Sequence, residues 1–151
     1  MITNKLFGPI SSPLENITIG NFVSELIWQK PNGVRDYCSM AVYDGGELIA
    51  GVLFHEWHRE HGVIELTSAA ISKRWLSRSV INTMFDFPFG KLGCQLVALR
   101  VSERNTNMLR IARSFGFSEV FIPRLRGRNE GEFIFTFTDD QWSSSKFRKA
   151  D

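Results

Sequence analysis

The segment Asn105–Phe117 constrains the fold of this chain more than any other stretch of its sequence. Directly after the apolar run Leu96–Val101, apolar residues recur at i, i+3, i+4 and i+7, which is one face of a helix. These residues are Met108, Ile111, Ala112 and Phe115. Gly116 follows where a helix end favours a left-handed residue, and Phe117 can pack back on the last turn. The segment therefore predicts a short amphipathic helix that stops sharply and leads into a strand.

Length and composition favour one domain over residues 1–151, with a charged segment at 143–151 that we expect to be a flexible tail. Cys38 and Cys94 have no metal-site spacing, so we expect reduced thiols in a cytoplasmic protein. No apolar run approaches the roughly 20 residues that span a bilayer, and the N-terminus has no signal-peptide pattern. We therefore expect no membrane partner.

Charge is distributed unevenly along the chain. Residues 1–72 hold four Lys and Arg against eight Asp and Glu, whereas residues 73–151 hold fourteen against eight. A basic half suggests an anionic partner. A cofactor with several phosphates, a nucleic acid and a merely solvated basic surface are the alternatives at this point.

The periodicity of apolar residues predicts an ordered series of elements. A short helix over 21–29 precedes three strands, and a helical face over 76–87 precedes a fourth strand, the 105–115 helix and a closing hairpin. The predicted strands are Tyr37–Tyr43, Glu47–Trp57, Val63–Ile71, Leu96–Val101, Val120–Leu125 and Glu132–Thr138. This order predicts an α/β fold in which helices pack on the faces of a mixed sheet.

The element order, and an Asn followed by a helix and Gly-Phe directly after a strand, resemble the GNAT superfamily of N-acetyltransferases. The element order matches over nearly the whole chain, and the motifs match over Glu65–Phe117. The resemblance implies a GNAT fold, with a twisted, mostly antiparallel sheet of about six to seven strands and a splay between two strands at the cofactor site. It implies acetyl transfer from acetyl-CoA to a primary amine by direct attack on the thioester, without a metal.

The strand Val63–Ile71 corresponds to the GNAT strand whose splayed end binds the pantetheine arm of acetyl-CoA through its backbone. The resemblance assigns that role to four consecutive residues, Ser68, Ala69, Ala70 and Ile71. In several members an acid at the position of Glu65 is the general base, because an amine must lose a proton before it attacks a thioester. The alternative for Glu65 is a surface carboxylate in a salt bridge.

The loop before the second long helix corresponds to the GNAT phosphate-binding loop. The start of a helix presents unpaired amides to a pyrophosphate, and the resemblance assigns Arg74, Ser77, Arg78 and Ser79 to this site. GNAT proteins usually carry glycines here, whereas this chain has none between Gly62 and Gly90. Trp75-x-x-Arg78 is similar to small GNAT-like proteins carried by bacteriophages, where this loop is also glycine-poor. An ordinary helix start with Trp75 as a buried anchor is the alternative.

Asn105 corresponds to a GNAT asparagine that binds the pantetheine arm, and it is also a good helix N-cap. Many GNAT enzymes place a tyrosine seven residues further on as the general acid for the departing thiolate. That position is Ala112 here, and the two tyrosines, Tyr37 and Tyr43, lie on an earlier strand. A positioned general acid typically contributes about 10²–10⁴-fold, so we expect a slower reaction without it.

Two further clusters carry charge or metal-ligand side chains. His55, His58 and His61 fail the metalloprotease spacing, and a strand-to-strand connection accounts for them better than a metal site. The arginines of Arg124–Arg128 predict a basic edge, for which an acidic acceptor or nucleic acid is the alternative to a solvated surface.

Three functions remain open from the sequence. The first is an acetyl-CoA-dependent N-acetyltransferase with a small-molecule or protein amine as acceptor, acting as a monomer or a homodimer. The second is a GNAT-fold module that binds acyl-CoA or a protein without turnover, as the missing glycines and tyrosine would allow. The third is a nucleic-acid-binding protein that uses the basic half, which we do not favour.

Overall fold

The structure is a computed structural model, and it describes residues 1–149. Within them, seven strands form a single sheet in the order β1-β2-β3-β4-β5-β7-β6. The strands are β1 (Ile2–Phe7), β2 (Cys38–Asp44), β3 (Glu47–His58), β4 (Val63–Ala70), β5 (Leu96–Ser102), β6 (Ser118–Ile122) and β7 (Glu132–Thr138). All neighbours are antiparallel except β4 and β5, which are parallel. The predicted mixed and mostly antiparallel sheet is therefore confirmed.

Helices cover both faces of this sheet. They are α1 (Pro13–Trp28), α2 (Arg78–Asp86), α3 (Thr106–Ser114) and α4 (Asp139–Ser143), and a π-helical turn (Phe87–Lys91) continues α2. Ile19 and Val23 of α1 pack with Leu53 of β3 in a smaller core on one face. The larger core on the opposite face joins α2, α3 and α4 to the strands and is rich in phenylalanine. Alternate residues of each central strand therefore serve two different layers.

The segment Asn105–Phe117 folds as predicted, as a short capped helix that leads into a strand. The Asn105 side chain caps α3 by accepting a hydrogen bond from Met108 N–H at 3.2 Å. Gly116 has φ +86°, and the N–H groups of Gly116 and Phe117 bind the carbonyls of Arg113 and Ala112. This pair of bonds is the Schellman motif, in which the left-handed residue lets the chain reverse. The chain then enters β6 without a longer loop.

Two elements at the N-terminus differ from the prediction. Strand β1 is not among the predicted elements, because its short alternation of apolar and polar residues resembles an irregular polar segment. Helix α1 begins at Pro13 rather than near Asn21, since proline suits the first helical position and Ser12 precedes it. Exposed Leu14 and Ile17 blur the amphipathic pattern of its first turns.

The segment that follows α4, predicted as a flexible tail, contacts α2 in its described part. Arg78 donates hydrogen bonds to the carbonyls of Lys146 and Arg148, and Asn82 binds Phe147 O and Lys149 N–H. The Phe147 ring packs on Phe115, with ring centroids 4.7 Å apart. Residues 150 and 151 lie outside the described residues, and the flexibility of 143–151 stays a prediction.

Candidate active site

The parallel pair β4–β5 separates towards its carboxyl end. Pairing runs from Val63–Leu96 to Leu66–Leu99 and then stops, although β4 continues to Ala70 and β5 to Ser102. A gap therefore opens in the middle of the sheet, between two strands that are each still paired on their outer side. This is the strand splay that the resemblance implies.

Backbone groups on both sides of this gap lack a strand partner. Ile71 N–H binds Ile49 O of β3, and since successive residues of a strand point their polar groups in opposite directions, those of Ser68 and Ala70 face the gap. Glu103 N–H binds Gly131 O next to β7, so Arg100 and Ser102 direct their polar groups towards the gap, where the Ser102 carbonyl accepts a hydrogen bond from Asn105 N–H at 3.0 Å. The backbone groups of the other two predicted residues, Ala69 and Ile71, are directed at β3 instead.

Two cavities lie on either side of the gap. The larger, which we call the polar cleft, has a volume of about 620 Å³, a floor of β4, β5 and β7, and walls from the end of α1 and the segment around Arg126. The smaller, which we call the apolar pocket, has a volume of about 30 Å³ and lies between the strands, α2 and α3. Leu66, Ser68, Leu99 and Met108 line both cavities. The gap therefore connects a charged compartment with an apolar one.

Glu65 lies on the floor of the polar cleft, at its β4 side. Burial raises the pKa of its carboxyl group, and the positive charge of Arg100 opposes that shift. Within residues 1–149 the carboxylate makes no hydrogen bond or ion pair below the usual distance limits. A half-buried carboxylate with a raised pKa can accept a proton from a cleft-bound group more readily than an ordinary surface glutamate.

His55 lies beside Glu65 on the paired strand β3 and also lines the polar cleft. Its Nε2 is 2.7 Å from the Thr67 hydroxyl, whereas its buried Nδ1 has no hydrogen-bond partner among the described residues. Burial lowers the pKa of this imidazole, which favours the neutral ring. The carboxylate of Glu56, 3.9 Å from Nδ1, opposes that shift.

An ion cluster of three residues occupies the other side of the cleft floor. Glu132 is 2% exposed and accepts from Arg100 Nε at 2.6 Å and from Arg126 Nε at 3.1 Å. The sequence analysis pointed to Arg126 only as part of a basic edge, and to neither Arg100 nor Glu132. A single arginine inside the apolar run Leu96–Val101 was the available signal, since a charged residue in a central strand needs a partner.

The segment that leads into α2 borders the apolar pocket, which Trp75 and Leu76 line. Ser77 caps the helix by accepting from Val80 N–H at 3.2 Å, and Trp75 is buried in the larger core, as the alternative of an ordinary helix start with a buried anchor expects. Arg74, Arg78 and Ser79 are exposed. Asn4 donates to the Ser79 hydroxyl, while the bonds of Arg78 to the tail carbonyls occupy its Nη2. The loop thus combines a helix N-terminus with two exposed arginines.

Two residues of α3 face the site from above the gap. Asn105 lines the polar cleft while it caps the helix, and Ala112 is 2% exposed and lines the apolar pocket. Tyr37 packs against Gly20 of α1 and belongs to the smaller core, as does Tyr43. No phenol from these two tyrosines therefore reaches the pocket that contains Ala112.

Residues 1–149 hold neither a cluster of metal ligands nor a membrane-spanning helix. No group of three or more His, Cys, Asp or Glu side chains in that range is placed to hold a metal ion. No helix of that range has both the length and the apolar character needed to cross a bilayer.

The strand order, the gap between β4 and β5, and the helices on both faces define the GNAT fold of N-acetyltransferases, which confirms the predicted fold. No protein-family model matches the chain, and no curated protein matches its sequence. A spermidine/spermine N-acetyltransferase, SpeG, from Vibrio cholerae superposes with a TM-score of 0.72 at 16% identity, over 95% of this chain and 98% of that one. A dodecameric structure of spermidine N-acetyltransferase from the same organism gives 0.71 at 15% identity, over 95% and 96% of the two chains. At these identities the likeness establishes the fold.

Proposed function

We propose that this protein transfers an acetyl group from acetyl-CoA to a primary amine. The observation that carries the proposal is the gap between β4 and β5, which joins a cleft containing Glu65 to an apolar pocket beneath α2 and α3. Acetyl transfer needs such an arrangement, because the thioester and the amine must meet from opposite sides in a fixed orientation. The acetyltransferases with the same fold support the proposal.

The residues around the gap fit the chemistry of acetyl-CoA. The gap-facing amides and carbonyls of Ser68 and Ala70 can pair with the amides of a pantetheine arm, as an additional strand would. Ala69 and Ile71 hold β4 on β3, and Asn105 adds a side-chain amide at the edge of the cleft. The start of α2, with Ser77 and Ser79, suits a pyrophosphate.

Arg74 and Arg78 complete the proposed phosphate site. Both guanidinium groups are exposed near the start of α2, where they can form charge-assisted hydrogen bonds with phosphate oxygens. Within residues 1–149, Arg78 forms its hydrogen bonds to the tail carbonyls through Nη2, and its other N–H groups have no partner in that range and can bind a phosphate.

Glu65 is the proposed general base, because its carboxylate faces the cleft and burial raises its pKa. It accepts a proton from the ammonium group of the acceptor, directly or through a water molecule. Backbone N–H groups that face the gap donate to the thioester oxygen as negative charge develops on it. With Ala112 in place of a phenol, solvent protonates the thiolate that leaves.

Isothermal titration with acetyl-CoA, followed by an assay of thiol release with a panel of amines, tests the proposal. We expect saturable acetyl-CoA binding and amine-dependent thiol release. Binding without release for any amine would favour the non-catalytic GNAT-fold module. No binding at millimolar acetyl-CoA would refute the proposal, and DNA or RNA binding at about 50 mM salt would then favour the nucleic-acid alternative.

A further inference from the structure

The polar cleft has two charged sides. On the β3–β4 side lie the carboxylates of Glu56 and Glu65, and on the β5–β7 side lie the guanidinium groups of Arg100 and Arg126. Arg35 adds a further exposed guanidinium at the wall formed by the segment after α1. A ligand that fills the cleft therefore meets negative charge at one end and positive charge at the other.

The positive side keeps an excess of charge after its internal pairing. Glu132 is the carboxylate of the ion cluster, and both of its oxygens are already bound, one by Arg100 and the other by both Arg100 and Arg126. One buried carboxylate can balance only one of the two guanidinium groups. The cluster therefore carries a net charge of about +1 at neutral pH.

Guanidinium N–H groups of this cluster remain available to a ligand. Arg126 uses only Nε, and Arg100 uses Nε and Nη2, so within residues 1–149 three Nη atoms of the two side chains have no hydrogen-bond partner. Both side chains are partly exposed, at 48% for Arg100 and 31% for Arg126. Such a fork of planar donors suits a carboxylate, which accepts two parallel hydrogen bonds.

The spacing of the two sides matches a small molecule. Glu65 is in register with Ala98, so Arg100 lies on the neighbouring strand two residues further along. With strands at least about 4.8 Å apart and a rise of about 3.3 Å per residue, the two Cα atoms are separated by at least roughly 8 Å. The charged ends of the two side chains, which both reach into the cleft, can therefore bind two groups of one compact acceptor.

We infer that the acceptor carries a carboxylate together with its amine, as an amino acid does. This inference rests on the proposed acetyl transfer. The carboxylate binds the Arg100–Arg126 side and directs the amine to Glu65. A polyamine, the acceptor of the spermidine N-acetyltransferases with this fold, would place a second ammonium group against the arginines. The cleft therefore favours a zwitterion over a polycation.

Matched pairs of acceptors test the inference. The kcat/KM of each of a panel of α-amino acids is compared with that of its own carboxamide, and spermidine serves as the polycation. Because a charge-assisted hydrogen bond contributes about 1.5–3 kcal/mol, we expect the best acid to exceed its amide roughly 10–100-fold in kcat/KM. In the Arg126→Met variant this ratio should fall towards one. Arg104, paired with Glu130 outside the cleft lining, provides the control Arg104→Met, which should keep the wild-type ratio.

The same pairs are titrated directly into the protein, so that the result does not depend on turnover. An acid that binds more tightly than its amide, with the difference lost in Arg126→Met, supports the inference. Equal behaviour of every acid and its amide in both measurements, or a preference for spermidine, overturns it while acetyl transfer stands. Failure of acetyl-CoA itself to bind overturns the proposed function instead, and the acid–amide titration still decides the character of the cleft.

Discussion

The two faces of β4 and β5 differ sharply, although they belong to the same two strands. On one face Glu65 and Arg100 form the floor of the polar cleft. On the other face Ile64, Leu66 and Val97 are buried under α2 and α3. The alternation of side chains along a strand produces both surfaces at once. The charged residues of the cleft and the buried core therefore lie on opposite sides of one sheet.

The cavities on the two faces meet at the gap between β4 and β5. Four residues, Leu66, Ser68, Leu99 and Met108, line both cavities there, whereas Glu65 and Arg100 line the polar cleft and not the apolar pocket. We therefore expect substitutions on the polar face to change turnover with little loss of stability. Substitutions in the apolar core should mainly lower stability, and they should also affect acetyl-CoA binding where they fill the apolar pocket.

Glu65→Gln gives the largest expected effect on the polar face. Glutamine keeps the size and polarity of the side chain but cannot accept the proton of the amine. Because a positioned general base contributes about 10²–10⁴-fold, we expect kcat to fall by that factor. Steady-state thiol-release kinetics measure it, and the acetyl-CoA dissociation constant should be unchanged. Wild-type turnover in Glu65→Gln would show that Glu65 is not the base.

Phe85→Ala gives the largest expected effect on the apolar face. Phe85 is 2% exposed, and its ring centroid lies 5.1 Å from that of Trp142 and 5.2 Å from that of Phe137. Truncating a buried phenylalanine leaves a cavity, so the free energy of unfolding should fall by about 3–5 kcal/mol. Urea denaturation followed by circular dichroism measures this loss. A loss below about 1 kcal/mol would mean that the aromatic core does not carry the stability of this face.

The order of elements from β2 to β7 could be predicted because each one carries its own periodic signal, whereas the short helix α4 was not predicted. The two-residue Gly45-Gly46 turn, with both φ angles positive, and the Asn105 and Gly116 helix ends are set by local backbone chemistry. Strand β1 and the first half of α1 could not be predicted in this way. Ile2, Leu6 and Ile19 are buried or half-buried only because other elements pack against them.

The candidate site was predictable in part, for the same reason. Glu65, Asn105 and the start of α2 lie in segments whose order along the chain resembles that of the strand, loop and helix at the GNAT cofactor site. The cluster of Arg100, Glu132 and Arg126 was not predictable, because β7 enters the sheet between β5 and β6 and brings Glu132 beside Arg100 over a long sequence distance. Only tertiary structure shows that an arginine of the predicted basic edge belongs to the cleft.

Ala112→Phe tests the apolar pocket with an intermediate effect. Ala112 lines a pocket of about 30 Å³, which cannot hold a phenyl ring without displacing its neighbours. Overpacking a core typically costs about 1–3 kcal/mol, and we expect that loss in the free energy of unfolding together with weaker acetyl-CoA binding. Arg110→Phe, at an exposed position of the same helix, measures the cost of phenylalanine in α3 without the pocket. Equal affinity for acetyl-CoA in the two variants would place the thioester outside this pocket.

The smallest expected effect concerns the stability of the polar face. As pH rises, the Glu65→Gln variant should become more stable to unfolding than the wild type. Burial raises the pKa of Glu65, so the folded protein holds this proton more tightly than the unfolded chain does. The contribution of Glu65 to stability therefore falls as pH rises from the unfolded pKa of about 4.3 through the raised folded pKa. Above that window the buried charge destabilises the fold in full, and glutamine removes this cost.

Thermal unfolding midpoints of the wild type and Glu65→Gln, measured from about pH 4 to about pH 7.5, check the direction of this effect. We expect nearly equal midpoints at the acidic end and a higher midpoint for Glu65→Gln at neutral pH. Glu60→Gln, at an exposed residue of the turn between β3 and β4, controls for the removal of one negative charge. A Glu65→Gln protein that is less stable than the wild type at neutral pH would show that attraction to Arg100 outweighs desolvation. The polar face would then contribute to stability, and the expectation that its substitutions cost little stability would be wrong.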